Sequence, residues 1–501
     1  ELMPGFFSNV FKLATGTMLA QVAGITLIPV VTRIYSPECL GVLQLFLSIA
    51  TVIVIVSSLS YNLAVMLPEK DEDSINIFVL SIMCVTGISV ATGAVVVGFA
   101  DRIGEIFTTA AIADYLIWLP VFVILSGFSL ILNEWLSRKV KYGVLSRSIV
   151  VSSISTRMFQ IGGGLMTASP LGLILGSVMG LALANFFMFR GLKEDIGLLK
   201  AVTVQRMKDL AIRYREFSLF GTAASLANSM SWELPAFMLG LFFSSTILGY
   251  YALAMMAVRV PMMMVGTAVS QVFFQKASEE MNLTGGVQTV VQEIHTRLIS
   301  ISIFPFVIFI VLSEGLFTFI FGANWLIAGT YARILAPWLF AVFIISPISS
   351  LFGVMERQKA YLFFESVTLC TWALIFFIGG TSGDPIFTLA LFSICGMLIW
   401  GSKSMYLIKA SGAGYRGSAE SLARHLLLSI IVSLPLIFGV YMGLAFLFLL
   451  GIAGITAIVY YLTIFFTDAL IQREIKELAI GFFRPEHIDL IKRLSLFRYW
   501  N

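Results

Sequence analysis

Apolar runs of about twenty residues, separated by short polar breaks, fill the chain and limit what it can fold into. A helix needs about 20 mainly apolar residues to cross the hydrocarbon core of a bilayer. Fourteen runs meet that length, at roughly 8–32, 41–67, 76–99, 114–133, 148–168, 171–191, 217–243, 248–276, 297–321, 326–355, 359–379, 385–408, 425–442 and 444–466. The last two form one run of double length, with Met442-Gly443 as the expected hairpin. No water satisfies backbone groups inside a bilayer, so such runs fold as helices. The predicted class is all-α: a polytopic membrane protein of about 14 transmembrane helices. The chain is 58% hydrophobic and only 12% charged, whereas soluble domains are about 25% charged.

The positions of the charges test this division. With the N-terminus inside, the outer loops hold Arg33 and Arg102 as their only Lys or Arg, while the inner loops and the tail hold nearly all the rest of the 32. Positive charge collects on the cytoplasmic side, so an even helix count with both ends cytoplasmic is expected. Arg157, Arg259 and Arg333 fall within spans, and Lys12 sits where the first helix begins.

An internal repeat divides the chain further. Gly16-Thr17, Pro29 and Gly41-Val42-Leu43 are echoed by Gly221-Thr222, Pro235 and Gly249-Tyr250-Tyr251. Arg138-Lys139-Val140-Lys141-Tyr142 is echoed by Arg357-Gln358-Lys359-Ala360-Tyr361. Six helices per copy is an even number, so both copies share one orientation, as in parallel-repeat transporters. The expected organisation is an N-lobe at 1–192, a basic amphipathic cytoplasmic linker at 193–216 and a C-lobe at 217–410. Two further helices follow at 411–466, then an interfacial cytoplasmic tail at 467–501. For linker and tail, anchoring to anionic lipid is favoured over a partner site.

The stretch Phe217 to Gln275 carries the most chemistry. It reads as two apolar helices turning near Ser244–Leu248, with Glu233 deep in one, Arg259 deep in the other, and Asn228, Trp232, Pro235 and Pro261 around them. A charge at bilayer depth costs about 3 kcal/mol or more unless it is paired or faces water. Such a hairpin is expected to wall a polar cavity. On the first and seventh helices, Thr17, Gln21 and Gly24, and Gly221, Ser225, Asn228 and Trp232, form stripes spaced by three and four. Each stripe is either cavity lining or helix-packing glue.

Other classes are disfavoured. Cys39, Cys84, Cys370 and Cys395 lack ligand spacing, and His295, His425 and His487 are far apart, so neither a disulfide nor a metal site is expected. The basic residues are dispersed in short loops and make no nucleic-acid surface. Glu1-Leu2-Met3-Pro4 offers no basic segment, so no signal peptide is expected and the first helix would direct insertion.

Three stretches resemble a known family. The first is Arg33-Ile34-Tyr35-Ser36-Pro37-Glu38 with Gly41, Ser57 to Pro68, and Asp71-Glu72-Asp73. The second is Trp135-Leu136-Ser137-Arg138 with Gln160 and Gly172-Leu173-Ile174-Leu175-Gly176. The third is Phe319 to Trp325, Ala328-Gly329-Thr330-Tyr331, Ser346-Pro347 and Met355-Glu356-Arg357-Gln358. Over roughly 8–410 the order and spacing resemble the Wzx-type oligosaccharide flippases, the polysaccharide-transporter branch of the MOP superfamily. A proline common in that family after its Tyr-Arg-x-Phe motif is replaced here: Ser218 follows Tyr214-Arg215-Glu216-Phe217.

The resemblance implies a flippase of the bacterial inner membrane. It would move undecaprenyl-pyrophosphate-linked oligosaccharide from the cytoplasmic to the periplasmic leaflet by alternating access. No cofactor is expected beyond coupling to H⁺ or Na⁺. The implied partners are the lipid-linked oligosaccharide, membrane lipids, a polysaccharide polymerase and a chain-length regulator.

An anionic pyrophosphate suits arginine, whose planar fork bonds two oxygens and keeps its proton. The candidates for the cargo are Arg259, Arg157, Arg333 and Arg33, with Gln160, Asn228, Trp232 and Gln21 for the sugars. Each has a structural counterpart: Arg259 an ion pair with Glu233, Arg157 and Arg333 snorkelling or pairing, Arg33 an interface anchor. Glu233, Glu365 and Glu314 are candidates for ion coupling, since a carboxylate in a partly dry cavity gains proton affinity and an arginine neighbour lowers it. A MATE-like small-molecule exporter is the nearest alternative, although intramembrane arginines disfavour cationic cargo. A membrane polysaccharide polymerase would need larger extramembrane loops, and a scaffold would not need buried charge.

Overall fold

A computed structural model describes residues 6–108 and 110–467. The expected interfacial tail beyond 467 lies outside the described residues, as do the side chains of Lys12, Thr17 and Pro261. Every described element is helical. The long helices are α1 (Phe6–Ile34), α2 (Pro37–Ser57), α4 (Asp71–Ile106), α5 (Leu119–Arg138), α6 (Tyr142–Met166), α7 (Pro170–Arg190), α9 (Arg215–Phe242), α10 (Ser245–Thr284), α11 (Gln288–Phe321), α12 (Leu326–Ile345), α14 (Gln358–Ser382), α15 (Pro385–Ala410), α16 (Tyr415–Tyr441) and α17 (Phe446–Thr467). Short α3 (Tyr61–Ala64), α8 (Val204–Arg213) and α13 (Leu351–Val354) complete them. Among the described residues, 10 helical segments are long and apolar enough to cross a membrane. Four further helices, α1, α6, α9 and α10, have 29, 25, 28 and 40 residues. The chain is a multi-pass membrane protein.

One expected helix is shorter than its apolar run. The run at 41–67 breaks after Ser57 although it holds neither proline nor glycine in the break. Leu59 and Ser60 take left-handed backbone, with φ of 49° and 54°, a conformation that costs about 1–2 kcal/mol per residue. Local polar bonds offset it: Ser58 Oγ donates to Asn62 Oδ1 at 2.7 Å, and Ser218 Oγ of α9 donates to the Leu59 carbonyl at 2.5 Å.

The internal repeat is written in backbone geometry. After α5, the Val140 N–H bonds to Ser137 O at 3.0 Å and that of Lys141 to Leu136 O at 2.8 Å, with Val140 at φ 56°. After α13, Glu356 N–H bonds to Gly353 O at 3.1 Å and Arg357 N–H to Phe352 O at 2.8 Å, with Glu356 at φ 55°. Val140 therefore answers Glu356, and Arg138 answers Val354 rather than Arg357. The same spacing relates the helices that follow. A methyl group on Gly163 would meet Gly172, and one on Gly379 would meet Thr388; Gly180 approaches Thr156, and Gly396 approaches Trp372.

The chain forms two compact units. One comprises Glu1–Gln275 and Ser313–Leu407. Within it α6 packs along both α1 and α7, and α9 packs against α2 and α14. The other comprises Lys276–Leu312 and Ile408–Asn501. There Phe304 stacks on Tyr460 at 4.4 Å, the Tyr460 hydroxyl donates to Ser300 O at 2.9 Å, and Leu312, Leu436, Leu449 and Ala453 form an apolar cluster.

Candidate functional site

The first unit encloses a cavity of about 430 Å³ walled by α1, α2, α6, α7, α9 and α10. Arg157, Gln160, Trp232, Glu233 and Arg259, five of the expected site residues, line it, joined by Gln44, Ser177 and Tyr251. The remaining candidates do not line it.

Arg157 is positioned by a chain of bonds reaching across three helices. The Tyr35 hydroxyl at the end of α1 donates to the Gln160 carbonyl at 2.7 Å. Gln160 Nε2 donates to Leu173 O at 3.2 Å and to Ser177 Oγ at 3.3 Å on α7. Its donor end is thereby used, and its Oε1 accepts from Arg157 Nη1 at 2.7 Å. The close approach of α6 and α7 depends on small residues: a methyl on Gly176 would lie 2.5 Å from Gln160 Cγ, and one on Gly172 would lie 2.3 Å from the Tyr35 oxygen. In the second repeat the positions answering Gln160 and Gly176 are Phe376 and Phe392, whose rings meet at 5.3 Å. The repeat has thus kept the packing and exchanged its chemistry, polar in the first copy and aromatic in the second.

Arg259 lies over the Trp232 ring, 4.6 Å from its centroid. Glu233 instead accepts a hydrogen bond from Ser48 Oγ of α2 at 2.6 Å. Among the described residues no carboxylate stands within ion-pair distance of Arg157 or Arg259, so the pairing considered between Arg259 and Glu233 is not made. Trp232 in turn meets Trp338 of α12 at 6.3 Å.

The other candidates lie outside this lining, and most have partners of their own. Arg333 pairs with Glu314 at 3.0 Å, and Thr330 Oγ1 donates to the same carboxylate oxygen at 2.9 Å. Arg33 Nη2 reaches the Phe319 carbonyl at 3.5 Å. Gln21 is half-buried on α1, where the neighbouring Gly24 packs against Ser153 of α6. Asn228 meets the Tyr361 side chain of α14. Glu365 is bonded to Lys403, a residue that sequence reasoning assigned to an inner loop and that is 3% exposed within α15. The signal available was the depth of Lys403 within a run that continues to Leu407.

The basic end of the bundle is cross-tied. Asp71 pairs with Arg138 at 3.0 Å and with Lys139 at 2.5 Å. Asp195, in the 3-10 segment Lys193–Ala201, takes Lys141 at 3.2 Å and Trp135 Nε1 at 3.2 Å. Arg206 of α8 binds both oxygens of Asp73, at 2.7 and 2.9 Å. Burial alone would lower the Lys141 ammonium, but hydrogen bonds to Glu194 and Asp195 outweigh it and hold it above the usual lysine range.

The geometry can be set beside known proteins. A family model described as "Polysaccharide biosynthesis protein" matches residues 30–329. Among curated proteins, the teichuronic acid biosynthesis protein TuaB of Bacillus subtilis (strain 168) is 23% identical over 213 residues, 42% of this chain and 43% of that relative, so the chain matches less than half the relative's length. Among solved structures, the lipid II flippase MurJ in an inward closed conformation superposes with a TM-score of 0.68 at 14% identity, over 90% of this chain and 98% of that one. An inward-facing multidrug resistance MATE family transporter of the MOP superfamily gives 0.52 at 13% identity, over 79% and 96%. At these identities the likeness is one of fold.

Proposed function

The chain belongs to the polysaccharide biosynthesis protein family, and from that premise we propose that it is a flippase for a lipid-linked oligosaccharide. Its cargo is an oligosaccharide on undecaprenyl pyrophosphate, carried from the cytoplasmic to the periplasmic leaflet of the bacterial inner membrane. Both chain ends are cytoplasmic in this reading, and the lobes at 1–192 and 217–410 rock about the cavity in alternating access. A polysaccharide polymerase and a chain-length regulator are its downstream partners.

One observation carries the reading: among the described residues, Arg157 and Arg259 line the cavity with no carboxylate within ion-pair distance of either guanidinium, and the acidic residue of the same lining, Glu233, is bonded to Ser48. Two fixed positive charges in such a place call for an anion, and a pyrophosphate offers oxygens that both forks can bind. Cationic cargo of the exporter type would be repelled. Trp232 and Gln44 in the same lining offer a stacking face and an amide to sugars.

The test is transport by protein in liposomes. A short-chain lipid-linked oligosaccharide is placed in one leaflet and its crossing is followed for wild type, Arg259→Ala and Arg157→Ala. Crossing by wild type that falls at least about tenfold in both folded variants supports the reading, since each loses a charge-assisted bond worth roughly 1.5–3 kcal/mol. Wild type that moves no such cargo under H⁺ and Na⁺ gradients overturns it.

A further inference from the structure

A lysine ammonium inside a membrane protein needs a reason, and Lys403 has an unusual one. Its Nζ lies 2.8 Å from Glu365 Oε1 across the α14–α15 pair. Three aromatic rings surround the same nitrogen: Trp400 at 4.7 Å, Tyr361 at 5.0 Å and Phe352 at 5.6 Å from their centroids. The negative faces of aromatic rings attract a desolvated cation. The cage therefore gives the ammonium partners that do not depend on Glu365.

This makes the pair asymmetric. Removing the proton from Lys403 forfeits every ring contact. Adding a proton to Glu365 leaves Lys403 still held by the cage and leaves no buried anion behind. The carboxylate is the member free to change its charge.

Glu365 also has a route to the site. It lines a second, small cavity of about 20 Å³ together with Ser231, Trp232, Thr368 and Trp372, enough for one water molecule. Trp232 belongs to this small cavity and to the large one, and it carries Arg259 on its ring. Among the described residues, the titratable groups facing Glu365 are Lys403 of α15, Tyr361 of its own helix and, across the small cavity, Tyr251 of α10. Asn228, Ser231 and Trp232 of α9 and Trp338 of α12 face this region without charge, and Glu233 is engaged by Ser48.

We propose that Glu365 is the proton-binding site that couples transport to a proton gradient, with Lys403 as the caged cation that positions it. In each cycle the Glu365 carboxylate takes one proton from water on the periplasmic side and becomes the neutral acid. It returns that proton to water on the cytoplasmic side, and no other bond changes. The proton crosses inward while cargo crosses outward, and the α14–α15 pair alternates between no net charge and one positive charge beneath Trp232. This inference rests on the transport reading, but its site can be tested without cargo.

The first measurement is infrared difference spectroscopy of the full-length protein in lipid between alkaline and acidic pH. A protonated-carboxyl stretch of a desolvated group is expected in wild type and in Glu233→Gln and is expected to vanish in Glu365→Gln. Lys403→Met is expected to change the pH dependence of that band, because an opposite charge favours the ionised acid. A band that survives Glu365→Gln, that vanishes instead in Glu233→Gln, or that ignores Lys403→Met overturns the proposal. Should Glu365→Gln fail to fold, the Lys403→Met titration and retention of the band in Lys403→Arg decide alone. The second measurement is the liposome assay with and without an inward proton gradient. Acceleration of crossing by the gradient is expected in wild type and absent in Glu365→Gln. Wild type that moves no cargo sinks the transport reading, while the infrared titration still decides the site.

Discussion

Gly41 and Gly249 meet backbone to backbone in a reciprocal contact: a methyl on Gly41 would lie 1.7 Å from the Ser245 carbonyl oxygen, and one on Gly249 would lie 1.8 Å from that of Pro37. Each glycine faces the residue four positions before the other, which is the signature of a two-fold related pair. Overpacking of this kind costs about 1–3 kcal/mol. Gly41→Ala and Gly249→Ala are each expected to lower thermal stability in detergent, and the double variant to cost less than the sum because one separation of α2 and α10 relieves both. Additive losses would show that the two sites adjust separately.

Ser48 ties α2 to α9 through Glu233. Its hydroxyl is the donor in a charge-assisted bond, and Ser48→Ala would leave the carboxylate half-buried without it. A loss of about 1.5–3 kcal/mol is expected, read from chemical or thermal unfolding. Glu233→Gln is expected to be milder, since the amide oxygen still accepts from Ser48.

Gln160 holds Arg157 by its only free acceptor. Gln160→Leu keeps the volume and removes it. The expected result is weaker binding of inorganic pyrophosphate or a short-chain lipid-linked analogue, by about five- to tenfold, for a net hydrogen bond of about 1 kcal/mol. Tyr35→Phe acts on the backbone behind Gln160 and is expected to lower stability more than binding. Isothermal titration and thermal unfolding of the same samples separate the two effects.

Asp195 fastens the Lys193–Ala201 segment beneath α5. Asp195→Asn is expected to speed tryptic cleavage between Lys193 and Arg213 several-fold, by raising the population of the open segment. The same opening should appear in wild type at high pH. Because the Lys141 ammonium is held above its usual range, its contribution is complete below about pH 10.4 and is lost as pH rises through the raised value. Cleavage that stays slow in Asp195→Asn would mean that the Arg206–Asp73 pair suffices.

Much of this architecture is legible in sequence because a bilayer allows few solutions. Apolar length marks the spans, and charges such as Arg157, Glu233 and Arg259 stand out within them; the cavity gathers these with Gln160 and Trp232. What is hidden has local causes. Leu59 and Ser60 break α2 with ordinary residues, since the bonds that offset their strain come partly from Ser218, far along the chain. Lys403 reads as a loop charge because, although its run continues to Leu407 and Trp400 stands one turn before it, the carboxylate of Glu365 and the rings of Phe352 and Tyr361 that complete its surroundings come from 38 to 51 residues earlier in the chain. The repeat was misaligned by three positions because the basic side chains of Arg138 and Arg357 match in type, whereas the conserved feature is a left-handed turn that Val140 and Glu356 make with unrelated side chains.

The resting place of Arg259 sets a direction for whatever meets it in the cavity. Its guanidinium lies over the Trp232 ring, a contact worth roughly 0.5–2 kcal/mol. A planar fork carries its donors at its edge, where an anion can reach them while the ring keeps one face. An anion that drew the guanidinium off the ring would forfeit the contact, a handicap of about two- to thirty-fold in affinity. The indole therefore favours one line of approach over others before any ligand is chosen.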